Sequence, residues 1–313
     1  MKKFLICFAL GLLSVFFSGN NANAQDCDIA LMVYLPDQPE DIPLAANTYL
    51  LNQITKVAVA NGVSASDGYA QFLITPRFTV LGKSIQSGPP RLFVYEFDVS
   101  LYIGDYLGQK VFASTSINLK GIGTNETKAY LDAIKKLNPE SRELQAFVKN
   151  GKDKIVDYYN TNYPNIIKKA QSLATQKQFE EALFYLSAIP ECSTGYAQAL
   201  KATATIYQQY VDNLCNIYLA RARSAWNSQQ NRAGAEEASE YLAYIYPDAA
   251  CYKEAQGLHK EIKSRIREEW DFQMKMYNDA VSLEKQRINA WKEVGVAFGK
   301  GQRDRVTNVY WIR

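Results

Sequence analysis

The stretch Glu180–Ala199, EEALFYLSAIPECSTGYAQA, returns in altered form as Glu236–Gln256, EEASEYLAYIYPDAACYKEAQ. The shared skeleton is E-A-x-x-x-L-x-x-I, then a proline, then Cys and Tyr in a short loop, then an Ala that opens a new helix. Ala182 and Ala238, Leu186 and Leu242, Ile189 and Ile245, Tyr196 and Tyr252, and Ala199 and Ala255 are each 56 residues apart. A lone helix–loop–helix unit cannot bury its apolar side. Two copies therefore demand a fold in which helices stack and share one buried face.

The amino terminus reads differently. Lys2 and Lys3 precede the apolar run Phe4–Phe17, which is short for a bilayer span, and Ala22-Asn23-Ala24 is a small-x-small cleavage site. Residues 1–24 are expected to be a signal peptide removed after Ala24. A lipid anchor fits badly, because Cys27 follows Gln25-Asp26 and not a small residue at the end of the apolar run. No later run is apolar and long enough for a membrane helix, so an exported chain with no integral membrane segment is expected. The whole chain carries 35 basic and 32 acidic side chains, and two of the basic ones lie in the expected signal. That near balance shows no basic stripe of the kind nucleic acid requires.

The chain from Ile29 to Tyr159 mixes periods. Ile29–Leu35 is a continuous apolar run, as in a strand buried on both faces. Ile42, Ala46, Tyr49, Leu50, Ile54 and Val57 recur at helical spacing, with Pro43 in the first turn and Asn61-Gly62 at the end. Phe72, Ile74, Phe78 and Val80 alternate with polar residues around Pro76. Phe93, Tyr95, Phe97, Val99, Leu101 and Ile103 then line one face of the cleanest strand, and Val111–Leu119 returns as its hairpin partner. Two helical patterns follow, one around Ala129–Leu137 and one around Leu144–Tyr159. The expected fold class is α+β, a β-α-β-β-β-α-α domain over residues 25–160.

From Pro164 the pattern is helical. Residues 161–262 are expected to hold the repeated units. Residues 263–313 are expected to hold the end of a long carboxy-terminal helix, running from Tyr252 to about Phe298, and a sticky tail. Its stripe includes Trp270, Met274, Tyr277, Trp291 and Phe298, and the tail adds Tyr310 and Trp311. These residues are the candidates for contact with a partner. If Tyr196–Gln229 is one helix and Ala233–Ile245 folds back along it, a rise of about 1.5 Å per residue brings the loop after Ile245 level with Leu214–Asn216. That pairs Cys215 with Cys251 in a disulfide and leaves Cys27 and Cys192 as a second pair or free. An even cysteine count after signal removal suits an oxidising compartment.

The pattern Ala170-x-x-Leu173, then Phe179-x-x-Ala182, Leu186 and Pro190, with Ala222, Ala225, Ala238, Leu242 and Pro247 in the second unit, resembles the tetratricopeptide family. The resemblance implies a protein- or peptide-binding scaffold. The buried first strand, its helix, the hairpin and Gly121-x-Gly123 before an Ala-rich helix are similar to a small envelope domain. That domain occurs in the amino-terminal part of the TolB family, in the curli secretion channel and in lipoprotein activators of cell-wall synthases.

Chemistry is thin by comparison. His259 is the lone histidine, so a nucleophile–His–acid arrangement or a His-based metal site has little to build on. The cysteines lack CxxC spacing. Gly121-Ile122-Gly123 lacks the third glycine and parallel setting of a phosphate loop, and reads as a strand-to-helix turn. No cofactor and no metal are expected. Glu96 and Asp98 project from one strand about 7 Å apart. They are the wet face of a half-buried sheet or, alternatively, the acids of a glycan- or peptidoglycan-binding module or hydrolase. The 21 tyrosines, many at core spacing, pack helices together or line a groove. The expected function is that of a non-enzymatic scaffold or assembly factor, binding a partner protein in the bacterial cell envelope. A membrane-channel component is disfavoured, since no spanning hairpin is evident beyond Phe93–Leu119.

Overall fold

The computed structural model describes residues 29–36, 42–62, 70–105, 108–266, 272–274 and 280–303. Four strands form one sheet in the order β1-β2-β3-β4. β1 (Leu31–Val33) runs parallel to β2 (Phe72–Gln86), and β2, β3 (Leu92–Asp105) and β4 (Lys110–Gly123) form an antiparallel meander. α1 (Leu44–Ala60) separates β1 from β2, and α2 (Glu126–Lys135) and α3 (Arg142–Thr175) follow β4. This is the β-α-β-β-β-α-α order read from the sequence, followed by a helical carboxy-terminal part.

Alternation decides which side of the sheet is buried. Tyr95, Phe97, Val99, Leu101 and Ile103 are almost wholly inaccessible, while Glu96 between them is exposed. Phe78, Phe97 and Tyr130 bring strand and helix aromatics together, with ring centroids of Phe97 and Tyr130 at 4.6 Å. Asp105 closes the β3–β4 turn by accepting from the Gly108 N–H at 2.8 Å.

Gly121 and Gly123 explain how α2 lies so close to β4. A side chain on Gly121 would collide with the Ala129 carbonyl and one on Gly123 with the Ala129 N–H. Asn125 caps α2, its Oδ1 accepting from the Lys128 N–H at 2.8 Å. The Gly-x-Gly turn is therefore a packing device between strand and helix.

α3 departs from the expected boundary. A new helix was expected after Pro164, but α3 runs unbroken for 34 residues with Pro164 inside it. Proline removes one N–H from the ladder and disfavours a helix interior. Packing on both sides of it outweighs that cost. Leu144, Val148, Ile155 and Tyr159 are buried on the sheet side, and Ala170 and Ala174 among the later helices. The Asn160 side chain accepts from Thr194 N at 2.8 Å, and the Tyr163 ring lies where any side chain at residue 195 would stand.

α4 (Phe179–Ser187), α5 (Tyr196–Ser228), α6 (Arg232–Leu242) and α7 (Tyr252–Ile266) follow. α5 is one helix, α6 folds back along it, and Cys215 and Cys251 form a disulfide with Cα atoms 6.0 Å apart. Trp226 is fully buried and donates from Nε1 to Glu261 Oε1 at 2.9 Å, tying α5 to α7. Cys192 is also disulfide-bonded.

The last helix starts later than expected. The last described helix is α8 (Ala280–Arg303), and the described residues between it and α7, Phe272–Met274, are not helical. The Phe272 carbonyl lies 2.9 Å from His259 Nε2, which folds this segment back beside α7. α8 then crosses α4, where Gly295 approaches the Phe184 backbone closely enough that a Cβ would stand 3.2 Å from its Cα.

Candidate functional site

Glu96 and Asp98 are the candidate pair for acid–base chemistry in this sequence. Glu96 and Asp98 do share the wet face of β3, and each is engaged. Glu96 Oε1 accepts from Lys120 Nζ at 3.1 Å. Asp98 accepts from the hydroxyls of Ser100, at 2.7 Å, and Ser116. Both acids lie on the outer surface of the sheet with partners on β4, and Asp98 also has Ser100 on its own strand. That arrangement is the solvated face of a half-buried sheet.

The candidate contact residues divide into two sets. Trp270, Tyr277, Tyr310 and Trp311 lie outside the described residues. Met274, Trp291 and Phe298 face the chain's own interior. Trp291 is 8% exposed, with its ring edge-on to Tyr207 at 6.4 Å, and Phe298 meets Phe184 at 5.7 Å. Met274 packs against the main core. The apolar stripe of the last helix is thus covered in cis where it is described.

Two concavities stand out among the described residues. The first, about 390 Å³, opens where the sheet edge, the α4–α5 loop and α8 meet, and is lined by Ile29, Gln71, Ile189, Tyr196 and Trp291 among others. On its rim Glu191 accepts from the Tyr196 hydroxyl at 3.3 Å and from Lys292 Nζ at 3.2 Å. Desolvation and then the Glu191 charge raise the Tyr196 pKa, while Lys292 acts the other way. Behind the rim, Gln71 donates to Asp105 Oδ2 at 3.0 Å and to the Tyr159 hydroxyl at 3.2 Å.

The second, about 490 Å³, is a groove between the later half of α3 and the first half of α5. Its apolar floor includes Ile167, Ala174 and Ile206. Gln171, Gln198 and Gln209 stand exposed along it, and Lys201 is the charged residue of the lining. Sequence reading marked this region through its repeat pattern but missed these amides. The glutamines sit on the exposed side of two helices that meet only in three dimensions, and nothing in their local spacing distinguishes them from ordinary solvated positions.

No family model matches the chain, and no curated protein matches it. Among solved structures, a minor lipoprotein from Acinetobacter baumannii is 16% identical over 37% of this chain and 92% of that chain, with a TM-score of 0.26. PelC from Paraburkholderia phytofirmans, solved as a dodecamer of a point variant, is 16% identical over 38% of this chain and 90% of that chain, with a TM-score of 0.25.

Proposed function

We propose that this chain is an exported, non-enzymatic scaffold that holds an extended segment of a partner protein in the bacterial cell envelope. The amide-lined groove between α3 and α5 carries the reading. A peptide backbone that leaves water needs a partner for each N–H and C=O. A glutamine amide offers both a donor and an acceptor, so a row of them can serve a main chain of many sequences. Lys201 supplies one cation for a carboxylate of the bound segment. The disulfide between Cys215 and Cys251 holds the following helices in place and suits an oxidising compartment, as does the expected signal at residues 1–24.

Ala202 lines the groove and is half-buried on its wall, so Ala202→Trp fills the groove, and thermal unfolding is read beside it to separate filling from loss of packing. A photo-crosslinker at Gln198 in native envelopes is expected to capture a protein with the parent chain and to lose that product in Ala202→Trp. Thermal unfolding should stay the same. Crosslinked products that persist with the groove filled, or no protein product with the parent, would refute this reading.

A further inference from the structure

Among the described residues, β4 is an edge strand of the sheet. The Ile122 N–H donates to Asp132 Oδ2 at 3.0 Å, and the Lys120 carbonyl accepts from Lys136 Nζ at 2.6 Å. Both groups therefore point away from β3. The β3–β4 register is regular from Ala113 to Gly123, so every even-numbered residue of that stretch turns its N–H and C=O outward. Ser114, Ser116 and Asn118 share this orientation and are exposed. Among the described residues, nothing meets their outward backbone groups.

The window has defined ends. A register shift beside Gly104 bends the ladder just before Ala113. Asp132 and Lys136 clasp the strand at Lys120 and Ile122. The Asp132 carboxyl is held below the usual range by the Ile122 N–H first and Lys136 second. Between these ends the strand's own sequence carries no guard against pairing. Val111–Leu119 contains no charge and no proline, the two residue classes that natural edges use against unwanted pairing.

We propose that this edge is the docking surface for a second copy of the chain, the two β4 strands pairing antiparallel about a two-fold axis at Ser116. In that register Ser114 faces Asn118, Thr115 faces Ile117, and Ser116 faces its own counterpart. The outward-pointing residues become the hydrogen-bonded pairs, each exchanging both backbone bonds. The strand is complementary to itself. Lys120 faces Phe112 and Lys110 faces Ile122, so no like charges meet across the pair. The result is one continuous sheet through both copies. This surface is separate from the groove and does not depend on it.

Sedimentation of the purified chain over a range of concentrations tests the proposal. The parent is expected to form a dimer. Ser116→Pro deletes an outward N–H that β3 does not use, so the fold should persist, by circular dichroism, while the dimer is lost. A charge exchange guards against misfolding of that variant. The double variants Ser114→Glu with Asn118→Glu, and Ser114→Lys with Asn118→Lys, each place like charges opposite one another and should be monomeric alone. Mixed, they should form a heterodimer. A parent that is monomeric at every concentration would overturn the proposal. So would a Ser116→Pro dimer, or acidic and basic variants that do not recombine. Capture of a foreign peptide on the edge of a monomeric parent would assign the surface to a different occupant and overturn it equally.

Discussion

Tyr210 lies half-buried where α4 meets α5. Its ring is 6.1 Å from Phe179 and 6.3 Å from Tyr207, and its hydroxyl donates to Glu180 Oε1 at 3.4 Å. Burial, and then the negative charge of Glu180, push its pKa up to about 12. An unfolded tyrosine ionises near about 10. Folding therefore favours the neutral phenol. The stability this contributes is fully present below about pH 10 and is lost as the pH rises toward about 12. Tyr210→Phe should lose less stability than the parent across that interval, as read from denaturant midpoints against pH. A midpoint that falls equally in both chains would rule the effect out. Tyr210 also shows what a sequence can hold at this scale. The tyrosine excess pointed to packing between helices without singling out Tyr210, and the carboxylate beside it comes from α4, 30 positions away. Gly121 and Gly123 divide the same way. The missing third glycine excluded a phosphate loop, while the backbone of α2 standing where their side chains would be is a tertiary fact.

The hairpin was the most legible element. Tyr95, Phe97, Val99, Leu101 and Ile103 are all buried on one face, and period two leaves no other register that buries them together. The disulfide was legible as well, because a helix of known rise folded back on another fixes which cysteines come level. Closing its 36-residue separation restricts the unfolded chain by roughly 4 kcal/mol in the chain-entropy account. Replacing both Cys215 and Cys251 by Ser should lower unfolding stability by about 3–4 kcal/mol, measured by urea denaturation. A loss below about 1 kcal/mol would mean that the α5–α6 hairpin is already ordered in the unfolded ensemble. The two helices that were misjudged failed for opposite reasons. Pro164 reads as a helix start, and packing on both sides overrides it. Between α7 and α8 the apolar stripe continues at helical spacing with no Gly or Pro from Leu258 to Val294, so the sequence carries no local stop signal. The break serves the distant crossing of α8 over α4.

At the scale of the whole molecule, α3 decides how the parts behave together. Its first turns belong to the sheet's core and its last turns to the helical stack. The expected division near residue 160 falls inside this helix, so the two halves share a hydrogen-bonded ladder and a continuous buried surface. Scanning calorimetry of the chain should show one transition, with the calorimetric and van't Hoff enthalpies equal. Two separated transitions would show that the halves melt independently. A helix of 34 residues is roughly 50 Å long. Its hydrogen-bonded ladder resists stretching, so it acts as a strut and not as a tether. A load applied at β4 would arrive at the groove as a displacement of its wall, with no slack linker between to absorb the motion.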